Sequence, residues 1–134
     1  MKLNEWAELY HRKTGELFSP DEKYTLIHDD EHGFCEYKIF PKHIQLRQLC
    51  GDCKFWVKIA MSIVLQLGLE AMCAKILRHP KPFIRALGFK LATTEEKEGY
   101  YRYTAYNEQN HKLIATQHKD FYFFEWIIKE GDEA

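Results

Sequence analysis

The stretch HIQLRQLCGDCKFWVKIAMSIVLQLG, His43 to Gly68, decides how the chain is read. Over His43–Leu49, Ile44, Leu46 and Leu49 stand against His43, Gln45 and Arg47, the two-faced pattern of a strand. Gly51-Asp52 interrupts it. From about Cys53 to Leu67 the polar residues Lys54, Lys58, Ser62 and Gln66 recur at every fourth position. They make one narrow solvent stripe on a helix whose remaining surface is apolar and must be covered. Gly68 supplies the C-cap. Ala71–Leu77 then fits a buried strand parallel to the first, which makes a βαβ unit with a right-handed crossover.

Upstream, Asn4 is an N-cap for a helix carrying Trp6, Leu9 and Tyr10, which Thr14-Gly15 ends. Ser19-Pro20-Asp21 is turn chemistry. Tyr24–His28 and Phe34–Phe40 read as a hairpin around the acidic turn Asp29–Gly33. Downstream, Pro80 and Pro82 flank the start of a short helix, Phe83–Leu87, that Gly88 terminates. A strand over Phe89–Thr93, a charged loop over Thr94–Gly99, and a hairpin of Tyr100–Tyr106 with Lys112–Gln117 follow. Phe121–Ile128 fits either a strand or a helix. No linker divides the chain, so residues 1–134 are read as one domain.

Composition bounds the function. The chain is 46% hydrophobic and 29% charged over 134 residues, which suits one soluble domain and excludes disorder. Nineteen Lys and Arg face 20 Asp and Glu for a net charge of -1, so bulk charge gives no support to nucleic-acid binding. A local basic face would not show in that average. Phe55–Leu69 is interrupted by Lys58, Ser62 and Gln66, too short and polar for the roughly 20 apolar residues of a membrane span. Met1–Leu17 has no apolar leader, and four cysteines then point to reduced thiols and a cytoplasmic location.

Two local patterns carry a resemblance. Gln48-Leu49-Cys50-Gly51-Asp52-Cys53, at the strand-to-helix join, is similar to the acyl-CoA loop Gln/Arg-x-x-Gly-x-Gly/Ala of the GNAT superfamily of N-acetyltransferases. Pro82-Phe83-Ile84-Arg85-Ala86-Leu87-Gly88-Phe89 is similar to that family's segment Ala-x-x-Tyr-x-x-x-Gly-Phe. The element order from Tyr24 to Tyr106 also resembles it. The resemblance implies an α+β fold: a mixed, mostly antiparallel GNAT-like sheet with a central βαβ unit and helices on both faces. It implies acetyl-CoA as acyl donor and an amine acceptor, whether small molecule, protein or nucleobase, attacking the thioester directly.

Under that resemblance Leu46, Arg47 and Gln48 would pair with the pantetheine arm, and Gly51, Asp52, Cys53 and Lys54 would hold the pyrophosphate. A helix N-terminus offers unpaired N–H groups and partial positive charge to such an anion. The family's tyrosine position falls on Ile84, so proton transfer passes to His79, whose imidazole titrates near neutrality, or to Glu36, with His43 and Gln45 facing the same cleft. A single loop glycine and the missing tyrosine motivate the alternative, a catalytically inactive GNAT-like module that binds a protein or nucleic acid.

Other patterns compete. Cys50-x-x-Cys53 at a strand-to-helix join is the setting of a redox pair, although Asp52 adds negative charge there. The same pair, with Cys35, Cys73, His43 or His79, would supply zinc ligands only if the fold gathered them. Tyr100, Tyr101, Tyr103 and Tyr106 with Arg102 offer a sheet face on which bases stack. Phe121–Trp126 is a docked terminus or a contact in a homodimer.

Overall fold

The computed structural model describes residues 1–128. Its elements are α1 (Leu3–Thr14), β1 (Thr25–Asp29), β2 (Gly33–Ile39), β3 (His43–Gly51), α2 (Cys53–Leu67) and β4 (Ala71–Ile76). They continue with α3 (Pro80–Ala86), β5 (Lys90–Lys97), β6 (Tyr100–Tyr106), β7 (Lys112–Gln117) and β8 (Tyr122–Ile127). All eight strands form one sheet in the order β1-β2-β3-β4-β8-β7-β6-β5. Only β3 and β4 pair in parallel, through the α2 crossover.

This corrects the expected α+β architecture, in which helices cover both faces of the sheet. Among the described residues the molecule is mostly sheet, with 42% of them in strands and 27% in three helices. The main helix contacts are α1 on β2 and β3, α2 on β2, β3 and β4, and α3 on β5. That is too little helix to cover eight strands. Two readings account for much of the extra strand. Thr94–Lys97, expected as a charged loop, continues β5, and Glu98-Gly99 turns it into β6 with φ 55° and 84°. Two consecutive positive φ values match the twist of a tight hairpin. Every residue of β5 is exposed, so its charges cost no desolvation and blunt the sheet edge. The tail Phe121–Ile128 resolves as β8, inserted between β4 and β7.

Helix α2 builds the main core. Trp56, Val57, Ala60 and Val64 pack with Ile44 and Leu46 of β3, Met72 of β4, and Leu113, Phe124 and Trp126 beyond. Leu65 and Leu67 remain exposed, so the helix is covered on less of its circumference than its composition demands. A second cluster joins Tyr10, Trp6 and Leu9 of α1 to Phe34, Cys50 and Phe18. The neighbours Phe34 and Cys35 alternate between these two clusters, as successive strand residues must.

The register between β2 and β3 slips: Cys35 faces Leu49, but Tyr37 faces Leu46. Three residues of β3 therefore span two of β2, a bulge that explains why Ile44, Leu46 and Leu49 are not evenly spaced. Among the described residues no helix is long and apolar enough to cross a membrane.

Candidate functional site

β3 and β4 run together from His43–Ala71 to Leu46–Ala74 and then part, β3 continuing to Gly51 and β4 to Ile76. Past that point each keeps its ladder on the outer side only, β3 with β2 and β4 with β8. The two facing edges border a cleft of about 530 Å³. Met72, Val57, Phe83 and Phe124 make its apolar depth, and Lys13, Glu16, Tyr24, Lys75 and Arg78 stand among its polar lining.

Of the residues expected to bind the cofactor, Leu46, Arg47, Gln48, Gly51 and Cys53 line this cleft. Lys54 does not; it borders a groove on the outer side of α2 with Lys58 and Trp126. Arg47 and Gln48 are already engaged. Arg47 pairs with Glu36 and donates to the Ser19 carbonyl at 2.7 Å. Gln48 accepts from the Ser19 amide and donates to the Leu17 carbonyl, both at 3.1 Å. Glu36, fully buried, also accepts from the Asp21 amide at 2.9 Å. These three side chains form a bracket that seats residues 17–21 on the sheet.

The expected proton-transfer groups are thus not in the cleft. Glu36 is held by Arg47 and the loop, with both carboxylate oxygens engaged inside the fold. His79 caps α3: its Nδ1 accepts from the Lys81 amide at 3.2 Å, and its Nε2 lies 3.3 Å from the Tyr103 hydroxyl. The accepting Nδ1 places the ring proton on Nε2 in the neutral form. His43 stacks on Phe40 instead, while Gln45 does line the cleft. Ile84 is core.

The turn into α2 is more self-contained than a phosphate loop. The Asp52 amide donates to the His32 carbonyl at 2.9 Å, and the Phe55 amide to the Asp52 carboxylate at 3.1 Å. The Gly51 amide lies against the Cys50 sulfur. Of the first-turn amides, those of Cys53 and Lys54 have no acceptor within the helix. The His32 carbonyl also accepts from Trp56 Nε1 at 2.8 Å, and its ring stacks on Phe55 at 3.7 Å. The hairpin tip therefore clamps the helix start.

Sequence reasoning gave Lys13 and Arg78 no role. Both line the cleft, and both pull down the Cys50 thiol, although burial outweighs them and leaves its pKa raised. Two cations therefore reach the wide end of the cleft. Burial also pushes Cys35 and Cys53 up to about 12 and Cys73 to about 11, the reverse of an activated redox thiol. Among the described residues no group of three or more His, Cys, Asp or Glu could hold a metal ion. No family model and no curated protein matches this chain.

Proposed function

We propose that this chain binds an acyl-CoA, acetyl-CoA in the simplest case, in the cleft between β3 and β4 and passes the acyl group to an amine. The observation that carries this reading is the parting of the two parallel strands after Leu46 and Ala74. Strand edges beyond the end of the β3–β4 ladder suit the amide-rich pantetheine arm, which can pair with backbone N–H and C=O groups there. Lys13 and Arg78 suit the phosphates, in place of a helix start that Asp52 already occupies. The apolar depth would exclude water around the thioester as the amine attacks its carbonyl carbon and the CoA thiolate leaves.

A second reading, binding of a partner without catalysis, is favoured by the engagement of Glu36 and His79 in structural hydrogen bonds. Two measurements separate them. Calorimetric titration with acetyl-CoA is expected to show saturable binding that Arg78→Ala weakens. Release of free CoA thiol in the presence of an amine panel then reports transfer. Saturable binding without thiol release selects the second reading, and no heat at millimolar acetyl-CoA removes the cofactor altogether.

A further inference from the structure

Half of the sheet is layered on one side only. α2 and α3 pack on the side of Tyr103, Ala115 and Phe124, while α1, on the opposite side, reaches β2 and β3. Strand alternation turns Phe123 and Ile127 of β8, Ile114 and Thr116 of β7, and Arg102 and Tyr106 of β6 away from α2. Ile114 is buried and Phe123 and Ile127 are half-buried, yet the three belong to neither core cluster. A second sheet laid over such a face completes its packing.

Cross-strand register identifies what fits there. One row across the face runs Lys75, Phe123, Thr116, Arg102, Glu95, from β4 through β8, β7 and β6 to β5. A two-fold axis lying along β7 exchanges β8 with β6 and β4 with β5, so the row meets its own copy in reverse. Lys75 then stands over Glu95, Phe123 over the Arg102 guanidinium, and Thr116 over itself. In the neighbouring rows Ile114 meets Ile114 and Ile127 meets Tyr106, while Lys112 meets its own copy, the one like-charged meeting on β7. Among the described residues neither Arg102 nor Glu95 forms an ion pair, although they face each other across the β5–β6 ladder, and Lys75 holds Glu16 loosely at 4.0 Å. Because β5 is the last strand, the copy's sheet ends over β4 and leaves α1 its place over β2 and β3.

We infer that this face is the contact surface of a homodimer, two copies packed sheet to sheet about a two-fold axis along β7. A row with a lysine at one end and a glutamate at the other is self-complementary, as an isologous contact requires. The net charge of -1 adds little repulsion between copies. The inference stands apart from the acyl-CoA reading.

The test is sedimentation-velocity ultracentrifugation of the full chain from roughly 1 to 100 µM, bracketing the weak end for an interface of ordinary size. A dimer is expected, and Phe123→Asp should convert it to monomer. Glu95→Lys, on the fully exposed β5, should weaken the dimer about tenfold by turning two attractive contacts repulsive. Adding Lys75→Glu should restore it. Within one copy these positions lie four strand spacings apart, about 19 Å, so rescue reports a meeting between copies. Circular dichroism melts confirm the fold of each variant. Four results would overturn the inference: a wild-type monomer throughout the range, species larger than a dimer, a dimer indifferent to Phe123→Asp in a folded variant, or a double variant no tighter than Glu95→Lys alone.

Discussion

Gly51→Ala isolates the contact on which the entry to α2 depends. Gly33 and Gly51 face each other across the β2–β3 ladder at φ 99° and 102°. A Cβ at Gly51 would overlap the His32 carbonyl oxygen, and one at Gly33 the Cys50 carbonyl oxygen. Each obstacle is backbone, and the His32 oxygen already accepts from both Asp52 and Trp56, so it has nowhere to move. The dihedral strain alone costs about 1–3 kcal/mol. Adding the overlap places the total at about 3–5 kcal/mol, in the range of the most damaging single substitutions. Gly68→Ala is the control: its φ is 65°, but a Cβ there meets nothing within 4 Å, so it pays the dihedral cost alone. Thermal melts followed by circular dichroism should place Gly51→Ala about 8 °C below Gly68→Ala, taking about 2 kcal/mol between them and about 4 °C per kcal/mol. Equal melting temperatures would refute the argument that cross-strand contact, and not backbone dihedral, demands glycine at 51.

Three further outcomes are expected. Arg47→Met leaves the buried Glu36 carboxylate without its ion-pair partner and should destabilise by about 1–3 kcal/mol, read by urea unfolding, with faster proteolysis between residues 15 and 24. The hydrogen bond that His32 Nδ1 donates to the Asp29 carboxylate holds the His32 pKa above its usual value, so this pair stabilises fully just below pH 6.5 and loses its contribution as pH rises through the raised folded value. Proton NMR titration of His32 should show that elevation and its reduction in Asp29→Asn; an unchanged value in the variant would count against it. With Cys35, Cys53 and Cys73 pushed up to about 11–12 and Cys50 raised, aromatic-disulfide labelling at pH 8 should be slow in the native protein and complete for all four thiols in urea; rapid native labelling of Cys50 or Cys53 would revive a redox role.

Local patterns were legible wherever one periodicity ran without interruption. The four-residue polar spacing from Lys54 to Gln66 marked α2, alternation marked β3 and β6, and paired apolar runs around α2 marked the parallel unit. β8 was ambiguous because an aromatic run satisfies both periods, and only pairing on both sides makes it a strand. β5 was cut short because charge reads as loop, whereas an exposed edge strand tolerates charge at every position.

The site divided the same way. His43–Gly51 and Ala71–Ile76 could be recognised as strands from their own residues, and Gly51 as a break between strand and helix. Their divergence after Leu46 and Ala74, the gathering of Lys13 and Arg78 at its mouth, and the use of Glu36, Arg47 and Gln48 as a bracket for residues 17–21 were decided by tertiary structure alone. The physical reason is range. Backbone periodicity is set by neighbours a few residues apart, but whether a polar side chain meets a ligand or another segment depends on which distant elements the sheet brings beside it.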